Sequence, residues 1–464
     1  MKHIFREYDI RGIFGTEITP SFTKALGYIL GKTMLEKNAK SVSVGYDVRL
    51  SNKILNNALI YGLNRAGIKA YSLGLVPTPL GYFSNYTCDI DANIMITASH
   101  NPKEYNGFKI TINKESFFAN ELANIYPQVK DIKNQFDDKI ENINYEEIDI
   151  KNLYIDYMVK EFSNLKDLNF SIAIDTASGA ACEVVANILD KLNIKYAHFF
   201  NEFDGEFKAH EPDPTHDENL QAIKEEIHEI NSNIKSTNKN GYIKNSAKIG
   251  FGFDGDADRI VCVLPNKVLK GDELCYLFAK NMQNPKILCE VKCSKIIFDK
   301  INDFGTCIMG KTGHSNIKKA IKENDIDLAA ELSGHVFFND RYFGYDDAIY
   351  AMLRIIELYA KNKDFINILN ELPKAYSSDE IKIKIDEDKK FKTISSFKDR
   401  VSQMNLKAKL IDIDGVRLEF DDGFLLLRAS NTSPYLIARF ESTNEKRLQE
   451  IHDFTFKELN KILN

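Results

Sequence analysis

The feature that most constrains the fold is an alternation of short apolar runs with helical patterns, which extends from the N-terminus to Tyr359. Near its start, Thr19-Pro20 predicts the beginning of a helix, and Ser41 to Val44 is typical of a strand. A second predicted helix around Leu59 leads to a strand over residues 70–76. Such alternation predicts crossover connections and mainly parallel sheets, so we expect the α/β class.

The pattern restarts near Asn152 and near Lys270, and it changes character after Pro373. Beyond that proline the predicted strands come in hairpins, with Asp414-Gly415 and Asp422-Gly423 as turns. A chain of 464 residues is long enough for several domains. We therefore expect three similar mixed α/β domains and a smaller C-terminal α+β domain. The predicted boundaries are 1–148, 149–264, 265–370 and 371–464.

Composition and charge argue against several classes of protein. The net charge is −6, so no basic field covers the molecule and nucleic-acid binding is not expected. The N-terminal residues lack the apolar core of a signal peptide, and no apolar run approaches the length needed to span a bilayer. Seven cysteines without a C-x-x-C pair form neither a zinc spacing nor a disulfide framework. These features predict a cytoplasmic protein without a membrane partner, in which local clusters bind any anionic ligand.

A polar loop over residues 97–107 joins two predicted strands. Asn101-Pro102 and Asn106-Gly107 both favour turns, so the backbone is expected to double back. The ammonium of Lys109 would then lie near the hydroxyl of Ser99. A serine beside a histidine in a loop is common in proteins, so this loop indicates a site only together with other runs of the chain.

Three aspartates alternate with small residues after a predicted strand, in the run Asp254-Gly255-Asp256-Ala257-Asp258-Arg259. A solvated turn could hold three carboxylates, whereas a packed strand end needs a cation to neutralise them. Hard oxygen ligands suit Mg²⁺ or Ca²⁺. An EF-hand is excluded, because its sixth position would be Arg259 instead of glycine and its twelfth Pro265 instead of glutamate. Mg²⁺ bound by the aspartates and a phosphate oxygen fits better, with Arg259 on the same phosphate.

Further polar clusters follow the predicted strands of the third region. They are Lys292, Lys311 to Ser315 and Glu331 to His335. Ligands of open α/β sheets bind at the carboxyl ends of strands, so three clusters at such ends favour a binding site. Near the C-terminus, Arg428 precedes hydroxyl and amide donors in a run that is either a plain polar turn or a phosphate-binding loop. These donors are Ser430, Asn431, Thr432 and Ser433.

Four of these runs together resemble the signature loops of the α-D-phosphohexomutase family. They are Thr97 to Pro102, Asp254 to Arg259, Glu331 to His335 and Arg428 to Thr432, in the order of the family and one in each predicted domain. The runs Phe5 to Gly12 and Arg341 to Asp347 resemble its bacterial phosphomannomutase/phosphoglucomutase branch. The resemblance implies four domains around a central cleft. Ala257 and Ala330 stand where glycine is frequent in the family, and neither change removes a ligand.

The resemblance also implies a function, the interconversion of hexose 1-phosphate and hexose 6-phosphate through a phosphoserine and a hexose 1,6-bisphosphate. Ser99 would carry the phosphate and would hold one Mg²⁺ together with Asp254, Asp256 and Asp258. The other implied catalytic residues are Lys109, His100, Arg259 and His335, of which Lys109 and His100 are the stronger candidates for moving the proton. The implied substrate-binding residues are Tyr8, Arg11, Lys292, Gly313, His314, Glu331, Ser333, Arg428, Ser430, Asn431, Thr432 and Ser433.

The implied partners and alternatives follow from the same comparison. Hexose phosphates would be the substrates and hexose 1,6-bisphosphate the activator, with the protein a monomer or weak dimer. Leu332 is apolar like the methionine of the phosphomannomutase/phosphoglucomutase branch, which favours mannose or glucose over glucosamine. A phosphoglucosamine mutase and a non-catalytic sugar-phosphate-binding protein on the same scaffold stay alternatives. A metal phosphatase is disfavoured, because it would not need a pocket that serves two substrate orientations.

Overall fold

The computed structural model describes residues 2–139, 142–229, 234–431 and 433–463. The chain divides into two compact units. The first comprises Met1–Gly271 and Ser333–Lys363, and the second comprises Asp272–Leu332 and Asp364–Asn464. None of the described helices is both long enough and apolar enough to cross a membrane.

The first unit begins with a seven-stranded mixed sheet. Its main path runs β1-β5-β4-β2-β3-β7, with β6 paired to β5. β2 is parallel to β3 and β4, whereas β5 is antiparallel to β4 and β1. The elements are β1 (Ile10–Ile13), α1 (Pro20–Glu36), β2 (Ser41–Tyr46), α2 (Asn52–Ala66), β3 (Lys69–Leu75), α3 (Thr78–Thr87), β4 (Ala92–Ile96), β5 (Tyr105–Ile112), β6 (Glu115–Ser116), α4 (Asn120–Ile132) and β7 (Glu146–Glu147).

Two sequence predictions for this sheet were wrong in part. Asn106-Gly107 forms no turn but lies within β5, where Gly107 pairs with Arg11 and Asn106 with Gly12. The sheet is mixed instead of mainly parallel, because the chain doubles back between β4 and β5 and then adds β1 to the edge of β5. Residue propensity favoured a turn, but pairing with a strand from the N-terminus outweighs that local preference.

Helices α1 and α2 pack closely because two glycines bring their backbones together. A Cβ on Gly62 would lie 2.2 Å from the carbonyl oxygen of Lys24, and one on Gly27 would lie 2.4 Å from that of Leu59. The apolar sides of these helices join the core of the sheet through Leu26, Leu30, Leu59 and Leu63, all fully buried. This packing covers the sheet in which β4 and β5 are joined by residues 97–104, the Ser99 loop.

A second sheet of six strands completes most of the first unit, in the order β10-β9-β8-β11-β12-β13. β8 is parallel to β9 and β11, and β12 is antiparallel to β11. The elements are α5 (Ile150–Glu161), β8 (Ser171–Asp175), α6 (Cys182–Lys191), β9 (Lys195–Phe199), α7 (Gln221–Ile227), β10 (Ser236–Lys239), β11 (Ala247–Phe253), β12 (Ile260–Leu264) and β13 (Lys267–Leu269). Asp254 follows β11 directly, as the apolar run predicted.

The first part of the second unit places β14 between β15 and β16, parallel to both. Its polar residues therefore follow the carboxyl ends of parallel strands, as predicted. The elements are α8 (Gly271–Ala279), β14 (Lys286–Glu290), α9 (Lys295–Ile301), β15 (Thr306–Gly310), α10 (His314–Asn324) and β16 (Leu328–Ala330). The chain then returns to the first unit for β17 (Val336–Phe338) and α11 (Ala348–Lys361).

The C-terminal part of the second unit is an antiparallel sheet with two helices, which confirms the predicted α+β character. The sheet runs β18-β23-β22-β21-β20, with β19 also on β23. The predicted turn at Asp422-Gly423 lies one residue earlier, because Gly423 already pairs with Phe420. The elements are β18 (Tyr376–Ser377), β19 (Ile381–Lys384), α12 (Lys390–Ser402), β20 (Lys409–Ile411), β21 (Val416–Phe420), β22 (Gly423–Ala429), β23 (Tyr435–Ser442) and α13 (Glu445–Leu463).

Candidate active site

The first unit brings the Ser99 loop against the aspartate run. Ser99 lies between β4 and β5 and Asp254 follows β11, yet the Ser99 hydroxyl donates a hydrogen bond to Asp254 Oδ2 at 2.7 Å. Ser99 is buried and has φ of 50°, a left-handed conformation that is uncommon for a residue with a Cβ. Strained backbone of this kind concentrates at functional sites.

The three aspartates form one buried cluster. Oxygens of Asp254, Asp256 and Asp258 lie within 4.8 Å of one another, and each residue is at most 1% exposed. Ala257 between them has φ of 57°, which explains why glycine suits this position. Three hard oxygens at this spacing match the ligand chemistry of Mg²⁺ or Ca²⁺. Asp256 Oδ1 has no hydrogen-bond partner among the described residues, so the cluster fits a divalent cation.

Lys109 neutralises part of this cluster. It lies within β5 and not in the loop, and its ammonium donates to Asp256 Oδ2 at 2.7 Å and also to Asp258. Burial alone would lower the pKa of Lys109, but Asp256, Asp258 and Asp346 outweigh it and raise that pKa above its usual value. Lys109 and Ser99 are therefore linked through the aspartates, since Ser99 bonds to Asp254 and Lys109 to Asp256. The raised pKa favours the ammonium form of the lysine.

Burial and neighbouring charges shift the pKa values of the aspartates in opposite directions. Burial, followed by the charges of Asp258 and Asp256, raises the pKa of Asp254 well above its usual range. Burial also opposes ionisation of Asp258, but Lys109 and His335 outweigh it and hold the pKa of Asp258 well below its usual range. Burial and charge thus disfavour the ionised form of Asp254, beside the Ser99 hydroxyl, and favour the ionised forms of Asp256 and Asp258.

Thr78 is a contact of the cluster that the sequence analysis missed. Its hydroxyl donates to Asp256 Oδ2 at 2.7 Å, and its amide donates to the Asp256 carbonyl at 2.9 Å. Thr78 is the first residue of α3 and stands in the run Pro77-Thr78-Pro79. That run is visible in the sequence, but nothing in it indicates an aspartate almost two hundred positions later.

His335 and Arg259 lie at the same cluster. His335 Nε2 is 3.2 Å from Asp258 Oδ1 and 3.3 Å from Arg259 Nε. Its other nitrogen, Nδ1, is 3.2 Å from the Ser333 hydroxyl. The Arg259 amide donates to Asp254 Oδ1 at 3.1 Å. The first unit therefore assembles Arg259, Ser333 and His335 with the aspartates.

His100 and Arg11 flank Ser99. His100 Nδ1 is 3.2 Å from the Ser99 hydroxyl. Burial, together with the guanidinium groups of Arg259 and Arg11, holds the pKa of His100 well below its usual range, so its ring is neutral. Arg11 Nη1 donates to Asn101 Oδ1 at 2.7 Å, and Tyr8 is a buried residue near the start of the same N-terminal segment. The loop thus places a neutral imidazole beside the hydroxyl.

In the second unit, Lys292 lies among carboxylates at the end of β14. Its ammonium donates to Glu380 Oε1 at 2.7 Å and lies 3.4 Å from Glu290 Oε1. The lysine lowers the pKa of Glu380 to about 2. Glu331 Oε1 accepts a hydrogen bond from the Gly313 amide at 2.6 Å, and His314 begins α10 next to it. Lys292, Gly313, His314 and Glu331 therefore belong to neighbouring strand ends of one unit.

The C-terminal loop of the second unit is organised around Arg428. Arg428 forms a bidentate pair with Asp414, at 3.1 and 3.2 Å, and Asp414 also accepts from the Thr312 amide at 3.1 Å. The hydroxyls of Ser430 and Ser433 are 2.7 Å apart. Asn431 lies between them in the same loop, whereas Thr432 lies outside the described residues. The sequence analysis treated Asp414 only as a turn residue and missed its role as the partner of Arg428.

Comparison with protein families identifies four consecutive segments. Models of phosphoglucomutase/phosphomannomutase α/β/α domain I match residues 2–136, those of domain II residues 152–267 and those of domain III residues 270–376. The phosphoglucomutase/phosphomannomutase C-terminal domain matches residues 380–458. Three α/β domains and a different C-terminal domain are the predicted fold class, which is thereby confirmed.

Individual proteins and structures agree with these matches. The chain is 34% identical to a phosphomannomutase/phosphoglucomutase of Pseudomonas aeruginosa over 97% of this chain and 93% of that protein. It is 33% identical to a phosphoglucomutase of Neisseria gonorrhoeae over 97% of this chain and 95% of that protein. A crystal structure of a phosphoglucomutase/phosphomannomutase family protein from Burkholderia thailandensis matches with a TM-score of 0.87 at 31% identity, covering 100% of this chain and 98% of that one.

Proposed function

The chain belongs to the phosphoglucomutase/phosphomannomutase family, and we propose on that premise that it interconverts hexose 1-phosphates and hexose 6-phosphates, with glucose and mannose as the sugars. The observation that supports this proposal most directly is the hydrogen bond between the Ser99 hydroxyl and Asp254 in a buried aspartate cluster. A hydroxyl held against such a cluster is suited to carry a phosphoryl group, because phosphoryl transfer depends on positioning and charge neutralisation.

We propose that Asp254, Asp256, Asp258 and a phosphate on Ser99 hold one Mg²⁺. Buried, partly unpartnered carboxylate oxygens support this assignment. When bound, the ion would supply positive charge to the transferring phosphoryl group. Arg259, whose amide contacts Asp254 and whose side chain contacts His335, would bind oxygens of the same phosphate.

The reaction breaks the bond between phosphorus and Ser99 Oγ and forms one between phosphorus and a sugar oxygen, whose proton must leave. His100 lies beside Ser99 with its neutral form favoured, so its ring is a candidate acceptor for that proton, and the lowered pKa makes it a weak base. Lys109 is an ammonium and can stabilise charge or donate a proton, but it cannot accept one in this state. His335, whose Nε2 already contacts Asp258, is the weaker candidate for moving the proton. The reverse transfer returns the other phosphate of the bisphosphate to Ser99.

The cationic and polar groups of the second unit would bind the rest of the substrate. The phosphate that is not being transferred would accept hydrogen bonds from Arg428, Lys292, His314 and the loop from Ser430 to Ser433. Glu331 would accept hydrogen bonds from sugar hydroxyls. Gly313 of the second unit and Tyr8, Arg11 and Ser333 of the first unit complete the proposed set. Lys292 and Arg428 are paired with Glu380 and Asp414, so phosphate binding would replace those carboxylates.

A coupled assay tests the function. Purified protein is given glucose 1-phosphate or mannose 1-phosphate with catalytic glucose 1,6-bisphosphate and Mg²⁺, and a glucosamine 1-phosphate arm tests the hexosamine alternative. We expect turnover of both hexoses, a phosphate adduct in the intact mass, and loss of both in Ser99→Ala. Ser84→Ala is the matched control, because Ser84 is a buried serine of the same unit that bonds to Ser43 instead.

Three results would contradict the proposal. They are isomerisation by Ser99→Ala, release of free phosphate at the rate of substrate loss, and no turnover of any hexose phosphate. The second result would support a phosphatase instead.

Three further expectations stay predictions. They are the domain boundaries at residues 148/149, 264/265 and 370/371, the cytoplasmic location, and the monomeric or weakly dimeric state. Limited proteolysis can test the boundaries, and light scattering can test the oligomeric state.

A further inference from the structure

Arg49 is a buried arginine whose Nη1 and Nη2 both donate to backbone carbonyls around Ser99. Its Nη2 donates to the carbonyl oxygens of Ser99 and Asn101, at 2.9 and 2.6 Å. Its Nη1 donates to the carbonyl oxygens of Pro102 and Tyr105, at 2.7 and 3.0 Å. The side chain is only 2% exposed. One guanidinium therefore binds three carbonyls of the loop that separates β4 from β5 and the carbonyl of Tyr105, the first residue of β5.

Sheet topology explains how Arg49 reaches this position. β2 and β4 are parallel neighbours, so their carboxyl ends meet at the same edge of the sheet. Arg49 follows β2 and Ser99 follows β4. Asp47, between β2 and Arg49, accepts from Arg49 Nε at 3.3 Å and from the Thr97 hydroxyl at 2.6 Å. The arginine is thus oriented by a carboxylate that also contacts the loop.

These contacts hold Ser99 at each of its polar atoms. Its amide donates to the Thr97 hydroxyl at 2.8 Å, its carbonyl accepts from Arg49, and its hydroxyl donates to Asp254. A left-handed φ at Ser99 has to be maintained by such surroundings, because the conformation is costly for a residue with a Cβ. Buried carbonyls without donors would also be costly.

Only a planar guanidinium supplies so many donors in a fixed arrangement. A lysine has three donors on one nitrogen, so it cannot bind all four carbonyls at once. The neighbouring Asp47 carboxylate balances the arginine charge, and all four acceptors of Nη1 and Nη2 are backbone oxygens. The arrangement is that of a support for the loop and not of a phosphate-binding group.

We propose that Arg49, oriented by Asp47, is a positioning residue for phosphoryl transfer, which sets the place of the Ser99 hydroxyl relative to the aspartate cluster. The inference rests on the proposed function, since Ser99 is taken to carry the phosphoryl group. A misplacement of about 1 Å can cost a factor of about 100 in rate. Loosening this loop should therefore slow the chemical step while leaving the binding residues of the second unit unchanged.

The test compares Arg49→Lys and Arg49→Met with Arg354→Lys. Arg354 is a buried arginine of the same unit that binds Asp340 bidentately at 2.9 Å. We expect Arg49→Lys to lower kcat by about 10- to 100-fold with KM for glucose 1-phosphate within about twofold of wild type. Arg49→Met should lower kcat further. Arg354→Lys should keep the wild-type kcat even if its melting temperature falls as much as that of Arg49→Lys.

Hydrogen exchange separates this inference from the proposed function. Amides of residues 98–106 should exchange faster in Arg49→Lys than in wild type or Arg354→Lys, whether or not the protein is a mutase. If wild type lacks mutase activity, the function fails and the exchange result alone decides the inference. Unchanged loop exchange, an unchanged kcat in Arg49→Lys, or equal kcat losses in Arg49→Lys and Arg354→Lys would overturn it. If Arg49→Met does not fold, Arg49→Lys decides.

Discussion

Lys109 is the residue that allows ionised aspartates to remain buried together. Its ammonium contacts Asp256 and Asp258, which are both nearly inaccessible to solvent. Removing one partner of a buried ion pair leaves the other charge uncompensated, at a cost of about 3–5 kcal/mol. A divalent cation would offer the same carboxylates a second source of positive charge. Lys109 is therefore coupled both to stability and to metal binding.

We predict that Lys109→Met lowers kcat by about 100-fold or more and lowers the melting temperature. Added Mg²⁺ should raise the melting temperature of the variant more than that of wild type, because the ion replaces the lost charge. Lys24→Met is the control, since Lys24 is also a buried lysine but contacts Asp137 at 3.0 Å. Calorimetry with and without Mg²⁺ measures the difference. Equal Mg²⁺ effects on the two variants would contradict the coupling.

His198 gives the first unit a stability that depends on pH. The ring is buried, its Nε2 lies 2.8 Å from the Thr176 hydroxyl, and burial lowers its pKa to about 3. The unfolded chain therefore binds a proton near the ordinary value of about 6.5, whereas the folded chain does so only near 3. Between these values the unfolded state holds more protons, so the contribution of His198 to stability falls as the pH falls.

Replacing His198 by glutamine should remove this dependence. Between pH 6.5 and pH 4 the free energy of unfolding of wild type should fall by about 3 kcal/mol more than that of His198→Gln. Urea denaturation at several pH values measures the two curves. His216→Gln, which changes an exposed histidine of the same unit, should follow wild type. Parallel curves for wild type and His198→Gln would show that His198 protonates equally in both states.

At the scale of secondary-structure elements, site residues depend on the loops that follow strands. Arg417 of β21 illustrates this in the second unit: its Nη1 donates to the carbonyls of Val291 and Cys293, at 2.5 and 2.8 Å, on either side of Lys292. The guanidinium is fully buried, 3.7 Å above the Phe424 ring. A strand of the C-terminal sheet thus holds the loop that presents Lys292.

We predict that Arg417→Met raises KM for glucose 1-phosphate by about 10-fold with a smaller effect on kcat. The reason is that Lys292 is proposed to bind the phosphate that stays in place, so its displacement weakens substrate binding throughout the reaction. Steady-state kinetics separates the two parameters. The matched control is Arg400→Met, because Arg400 pairs with Glu458 between α12 and α13. A fall in kcat with unchanged KM would contradict the predicted role.

For the whole molecule, a net charge of −6 requires that anions be bound by local groups. Three cations of the proposed site are paired with acids in this structure, Lys109 with Asp256, Lys292 with Glu380 and Arg428 with Asp414. Phosphate and metal binding would therefore exchange ion pairs within the protein for ion pairs with ligands. Such exchange keeps the charges compensated in both states.

Metal removal tests whether activity depends on a divalent cation at the aspartate cluster. We expect exhaustive treatment with EDTA to reduce mutase activity by at least about 100-fold and added Mg²⁺ to restore it. The melting temperature should rise with Mg²⁺ in wild type but not in Asp256→Asn. Asp213→Asn is the control, since Asp213 is a buried aspartate of the same unit outside the cluster. Full activity after chelation would show that the cluster needs no divalent ion.

Much of the fold was predictable because strands and helices leave local patterns. The run Ala92 to Ile96 coincides with β4, and the helix predicted after Thr19 begins at Pro20 with Thr19 as its cap. The exceptions, such as Asn106-Gly107 within β5, occur where distant strands pair. Of the candidate site, residues in polar runs after strands were identified, whereas Thr78, Arg49 and Arg417 were not. Their contacts are with backbone or with distant aspartates, and neither leaves a pattern in the sequence.

The sequence by itself determined which chemical groups are present, where the strands end and to which family the chain is similar, because these depend on side-chain type and local periodicity. Only the tertiary structure decided that Lys109 of β5 meets Asp256 after β11, that the pKa of Asp254 is raised and that Arg49 binds carbonyls of the Ser99 loop. Which strand ends lie next to each other depends on the order of strands in the sheet. The pKa of a side chain depends on its burial and on the sum of neighbouring charges. Both are properties of the folded chain in three dimensions.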